Sequence, residues 1–189
     1  MSNKNKILEN WKENWNYPNT VWLGNGRIKD LTKACKILKI KKPLFVTDKD
    51  LVKTKMVENV LEENKKANLP TAVFSDLKGN PLGSSVNKGS KIFKNGNHDG
   101  VISFGGGSSL DVGKSIVLQA ALNRPLWDFT DGGSFWNENK FSESMAKNKI
   151  SNPDNLKPFI AIPTTAGTGS ETSRAAAIIN DETKVKKIV

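Results

Sequence analysis

The stretch FGGGSSLDVGKSI, residues 104–116, decides how this chain is read. An apolar run ending at Phe104 meets three glycines, and two serines then open a stretch at helical spacing. The phosphate-gripping loop of nucleoside triphosphatases has the form G-x-x-x-x-G-K-S/T. Here five residues, SSLDV, separate Gly107 from Gly113, and Asp111 would lie among the phosphates. Spacing and charge both reject that reading. The dinucleotide fingerprint G-x-G-x-x-G fails as well, because Leu110 stands where its third glycine belongs. What survives is a strand, a bend free of side chains and a helix start. Glycines let backbone amides approach a ligand with no Cβ in the way. A helix start capped by Ser108 or Ser109 presents free N–H groups and partial positive charge, which suits an anionic pyrophosphate. A structural turn that simply needs glycine explains the same letters, and this stretch alone does not choose.

Outward from it, short β-branched or aromatic runs alternate with longer stretches at helical spacing. The runs lie at 20–23, 43–47, 71–74, 100–104 and 158–163. Between them, 28–40 carries Leu31, Cys35 and Leu38 on one stripe, and 51–69 carries Leu51, Val60 and Leu61. Residues 85–95 carry Val86 and Phe93, and 109–122 carry Leu110, Val117 and Ala121. Strands alternating with helices predict βαβ units: an α/β fold, doubly wound, with a mostly parallel sheet covered on both faces. The stretch 123–157, rich in Asn, Gly, Ser and aromatics, breaks this rhythm and reads as a long surface excursion with one short helix near 142–147. Its Trp127, Phe129, Phe135 and Trp136 either line a ligand cleft or pack the excursion onto the domain.

Two further segments bear on the glycine bend. The strand pattern at 158–162 runs into PTTAGTGSETSR, residues 163–174. Threonines and small residues at the C-terminal end of a parallel strand sit where ligands bind in open α/β sheets. Asp48 closes the strand LFVTD and follows the GNG turn at 24–26 by a little over twenty residues. A carboxylate there accepts hydrogen bonds from an adenosine ribose and repels a 2′-phosphate. Capping a helix ahead of Asp50 and Leu51 is its alternative role.

GGGSSLDVGK at 105–114 followed by IPTTAGTGSETSR at 162–174 resembles the iron-containing (group III, metal-dependent) alcohol dehydrogenases. VTDKDL at 46–51, GNPLGSSV at 79–86 and WLGNGRI at 22–28 extend the likeness, in order, over nearly the whole chain. The resemblance implies a Rossmann-like N-terminal domain, like that of dehydroquinate synthase, which binds NAD in preference to NADP. It also implies a helical C-terminal domain, and Fe2+ or Zn2+ held by an Asp and three His. Carried over by position, Asp48 faces the adenosine ribose and Asn80 lies near the cofactor. Gly105, Gly106, Gly107 and Ser108 hold the pyrophosphate. Thr164, Thr165 and Thr168 border its nicotinamide end, and Ser173 and Lys187 match later cofactor-side positions. The expected substrate is a small alcohol or aldehyde, with a homo-oligomer as the assembly. The sequence ends at KVKKIV, ahead of the place where the family's first metal-ligating Asp is expected. Residues 1–189 are therefore expected to be the cofactor half alone, without catalytic or metal-ligating residues and inactive by themselves. A non-catalytic nucleotide-binding module, or a sister enzyme such as glycerol dehydrogenase, is the alternative. The single histidine, His98 in the turn NGNHDG, reads as a surface residue.

Composition agrees with this class. The 189 residues carry a net charge of +10, but pairs such as Lys41-Lys42, Lys65-Lys66 and Lys186-Lys187 are scattered rather than clustered. That reads as a solvated surface with a mild pull on anionic ligands, not a nucleic-acid footprint. No apolar run is long enough to span a bilayer, the N-terminal residues lack the apolar core of a secretory signal, and one cysteine cannot form an internal disulfide. A reducing, cytoplasmic location is the expectation.

Overall fold

Every side chain of the run PLFV at 43–46 is buried, as expected of a strand covered on both faces. A computed structural model describes residues 19–77, 79–135 and 156–189 of the chain. It makes this run β1 (Pro43–Val46), beside β2 (Ala72–Phe74), β3 (Gly100–Gly105) and β4 (Phe159–Pro163). All three pairings are parallel, and the sheet order is β2-β1-β3-β4. The connecting helices are α1 (Leu31–Ile37), α2 (Lys55–Lys66), α3 (Gly83–Asn95) and α4 (Gly107–Leu122). The doubly wound α/β reading holds.

Strand alternation divides the core in two. Leu44 and Val46 point to a cluster with Val86 and Phe93 of α3 and Val112 and Ile116 of α4. Phe45, Ile102 and Phe104 point to the opposite cluster, with Leu31 and Cys35 of α1 and Val57 and Val60 of α2. The α4 helix comes close to β3 because Gly113 has no side chain: a Cβ there would lie 1.8 Å from the Ser103 Oγ. After the sheet, β5 (Ala177–Ile179) and β6 (Lys186–Ile188) form an antiparallel hairpin. Ile179 bridges to Leu82, and Asp181 Oδ2 accepts from the Ser84 amide at 2.8 Å, satisfying a first-turn N–H of α3.

Several expectations need correction. The run at 20–23 forms no strand: it finds no ladder partner, and Val21 and Leu23 stand 70% and 93% exposed. The 28–40 helix begins as a 3₁₀ turn, Arg27–Asp30, and the α-helical part stops at Ile37, so Leu38 leaves the apolar stripe. The 51–69 stretch splits into a 3₁₀ turn at Leu51–Lys53 and α2, the break falling at extended Thr54. The helix cap after the glycines is Gly106, not Ser108 or Ser109, and it makes no side-chain capping bond.

His98 is buried rather than superficial. Its ring packs beside Phe93, with Nδ1 3.0 Å from the Lys42 carbonyl. The start of the 123–157 excursion also belongs to the core, since Leu126 and Phe129 of a 3₁₀ turn are buried. Trp127 lies against Gly83, and Phe135 meets Phe129 edge-on, so these three aromatics pack the segment down rather than line a cleft. Trp136 and the helix expected near 142–147 fall outside the described residues.

Candidate functional site

In the sheet order, the chain leaves β1 toward β2 and returns on the far side of β1 as β3. Such a switch point opens a crevice at the C-terminal strand ends, the general ligand position of doubly wound sheets. A cleft of about 690 Å3 lies there, lined among others by Asp48, Gly106, Gly107, Ser108, Thr164 and Thr165. Its size is that of a small-molecule or cofactor site.

Each wall follows from the local chain. Gly105, at φ +150°, turns β3 into the bend, where an L residue would be strained and its Cβ would meet the Ser109 Oγ at 2.6 Å. The first helical hydrogen bonds of α4 run from Ser109 and Leu110 to the Gly106 carbonyl. The amides of Gly107 and Ser108 precede them and have no intrahelical acceptor, so the partial positive end of a 16-residue helix faces the cleft.

Beside this bend, Thr164 extends the ladder from β4, its amide donating to the Gly105 carbonyl at 2.9 Å. A Cβ on Gly106 would lie 3.2 Å from Thr165 Oγ1, and one on Gly107 would lie 3.4 Å from Thr168 Cβ. The threonine turn therefore lies directly beside the glycine bend: a side chain on Gly106 would crowd Thr165, while one on Gly107 would meet Thr168 at ordinary contact distance. Across the cleft, Asp48 Oδ1 accepts from the amides of Asp50 at 3.0 Å and Leu51 at 2.8 Å. The capping role thus occupies one carboxylate oxygen, while the side chain still lines the cleft.

Lys49, Asp50, Leu51, Lys53, Leu77, Gly79 and Ser109 also line it, and the sequence assigns none of them a ligand-contacting role. Lys49 pairs with Asp76 at 3.0 Å, and Lys53 lies 3.5 Å from Asp50. The Asp76 carboxyl is held down to about 2 by hydrogen bonds from Lys88 and Lys49. Asn80 adjoins Gly79 in a left-handed turn (φ +59°) and, like Thr168, Ser173 and Lys187, is not among the residues lining the cleft. Ser173 lies farther along the threonine segment, and Lys187 on β6 opposite Ile178. The GNG turn at 24–26 leads into α1 and contributes nothing to the cleft, so its spacing from Asp48 carries no meaning.

The sequence letters G-K-S at 113–115 also acquire their roles. Gly113 admits α4 to the sheet, taking over one turn later the close helix–strand packing that the fingerprint's third glycine provides. Lys114 Nζ donates to the carbonyls of Ser170 (3.0 Å), Ser173 (3.1 Å) and Ala175, and Ser115 is buried.

Residues 18–189 match the family described as iron-containing alcohol dehydrogenase. The chain belongs to that family. It is 35% identical over 173 residues to the NAD-dependent methanol dehydrogenase of Bacillus methanolicus, a match covering 92% of this chain and 41% of that protein. Among solved structures, 1,3-propanediol oxidoreductase superposes with a TM-score of 0.77 at 31% identity, covering 93% of this chain and 42% of that one. The NADH-dependent butanol dehydrogenase A of Thermotoga maritima gives 0.78 at 25%, covering 94% and 41%. The chain thus spans about two fifths of the length of these alcohol dehydrogenase relatives. The family description names iron, but among the described residues no three His, Cys, Asp or Glu side chains converge to hold a metal. The described residues of the cleft therefore offer no donor set that fits the ion.

Proposed function

We propose that the cleft receives NAD and that the chain is the cofactor-binding part of an alcohol dehydrogenase acting on a small alcohol or aldehyde. The observation that carries this is the contact between the glycine bend and the threonine turn beside the α4 N-terminus. Two anionic phosphates are best received where unpaired amides and hydroxyls converge at the positive end of a helix. The amides of Gly106, Gly107 and Ser108 would take the pyrophosphate, with Gly105 shaping the bend. Thr164, Thr165 and Thr168 would border it toward the nicotinamide. The unbonded oxygen of Asp48 would accept from the adenosine ribose hydroxyls, and its charge disfavours a 2′-phosphate. Lys49 and Lys53, the cations that could offset that charge, each face a carboxylate already. Asn80, Ser173 and Lys187, none of which lines the cleft, have no direct contact with the nucleotide in this reading.

Bound NAD supplies the hydride-accepting ring, and this chain supplies its seat and orientation. Relatives named as dehydrogenases of methanol and 1,3-propanediol support a small alcohol as the substrate class. The test is a fluorescence titration of the 189-residue chain with NADH, competed with NADPH and with ATP. Saturable NADH binding that ATP and NADPH displace poorly is expected. No binding, or equal competition by ATP, overturns the proposal.

A further inference from the structure

Apart from the Thr164 amide on the Gly105 carbonyl and two hydrogen bonds from Asn19 Nδ2 to the Glu171 and Thr172 carbonyls, at 3.3 and 3.0 Å, the threonine segment is held by two side chains from α4. Residues 164–169 and 172–174 are exposed, and the described hydrogen bonds within the segment are short-range turn contacts such as Ser173 N–H to the Gly169 carbonyl. Asp111 and Lys114, one helical turn apart and both largely buried, reach across to it. All three Lys114 ammonium protons find carbonyls, those of Ser170, Ser173 and Ala175. Asp111 Oδ1 lies 3.2 Å from that ammonium and accepts the Ser170 hydroxyl, while Oδ2 accepts from the Ala177 amide at 3.0 Å.

A cage of three carbonyls and a carboxylate is what a monovalent cation would bind, and here the cation is tethered to the helix. We infer that Asp111 and Lys114 are positioning residues of the nucleotide site. Lys114 acts as a built-in cation that gathers the threonine segment onto α4 and so fixes Thr165 and Thr168 against Gly106 and Gly107. The inference rests on the NAD reading above. It asks more of these residues than that reading does, since neither touches the cleft.

The test compares the 189-residue chain with Lys114→Ala and Asp111→Asn by NADH titration and by hydrogen exchange of the peptide 164–176. Unmodified chain that fails to bind NADH overturns the NAD reading; the exchange data then judge the tether alone. With binding present, Lys114→Ala should raise the NADH Kd about tenfold or more, the factor expected for losing charge-assisted hydrogen bonds. Exchange should quicken in 164–176 while β1 and β3 keep their protection. Propylammonium, which replaces the missing atoms, should restore much of the affinity of Lys114→Ala, and tetramethylammonium, which has no N–H, should not. An unchanged Kd, equal loss of protection in β3, or failure of propylammonium to outperform tetramethylammonium overturns the inference.

Discussion

Gly113→Ala tests how closely α4 must lie on the sheet. The new methyl would sit 1.8 Å from Ser103 Oγ, 3.1 Å from Ser103 Cβ and 3.0 Å from Phe159 Cε2. Carbon contacts are comfortable near ~3.5–4 Å, so the two carbon contacts push helix and strand apart by about 0.5 Å, and the hydroxyl contact, with Ser103 held in place, by more than about 1 Å. Overpacking of this kind costs about 3 kcal/mol at the upper end of its usual range. Alanine recovers about 1 kcal/mol of helix propensity over glycine, leaving a net loss of about 2 kcal/mol. That shifts the folding equilibrium about thirtyfold and lowers a urea midpoint by about 1 M for a slope of about 2 kcal/mol/M.

The nearest clash is with a hydroxyl that has no hydrogen-bond partner and is fully buried. Ser103→Ala alone should therefore be neutral or slightly stabilising. Combined with Gly113→Ala it should recover about 1 kcal/mol, a coupling well above the additivity error of distant sites. Urea unfolding of the four chains, followed by circular dichroism, gives all terms of the cycle. A Gly113→Ala chain as stable as the parent, or strictly additive losses, would refute the close-approach argument.

Other outcomes follow from the same geometry. Asp48→Ala should cost about 1 kcal/mol of stability through the two amides it leaves uncapped. It should also weaken NADH while narrowing the NADH-to-NADPH preference, and an unchanged preference would remove Asp48 from the ribose site. Asp76 contributes stability fully above the ordinary carboxylate value of 3.8 and loses it as pH falls toward about 2. Asp76→Asn should flatten acid unfolding in that window, and an unaltered profile would mean its lysine pairs do not form in solution. Burial, helped by the Asp99 charge, pushes the Cys35 thiol from 9.0 up to about 11. Near pH 9 its thiolate is about fiftyfold scarcer than in the unfolded chain, so iodoacetamide should label the native protein at least that much more slowly than the urea-unfolded one. Equal rates would place Cys35 in solvent.

The features that the sequence made legible were local ones. Short apolar runs such as PLFV and GVISFG, buried at every position, and glycine bends after strands are properties of neighbouring residues, and four of the five apolar runs became strands. The run at 20–23 has the same letters but no ladder partner, which no local pattern reveals. His98 carries turn neighbours on both sides, yet Phe93 and the Lys42 carbonyl bury it from elsewhere in the chain. In the sequence Asp111 counted against a phosphate loop, and with Lys114 it formed part of the motif GGGSSLDVGK, but neither showed a structural role because their partners lie near 170–177. Gly113 could have been found by asking which glycine, one turn inside the helix, faces the preceding strand.

The strand order also sets a timetable for the nascent chain. Every neighbour in the main sheet is joined across a long crossover, and Thr165 leaves the ribosome about sixty residues after Gly106. At ~5–20 residues per second, translation leaves β3 waiting for β4 for roughly 3–12 s. Throughout that delay Ile102 and Phe104 flank an edge with nothing beside it. The cleft proposed as the nucleotide seat is thus completed only once the threonine turn has been made, and newly made chain passes through a stage when it can stick to its neighbours before that cleft exists.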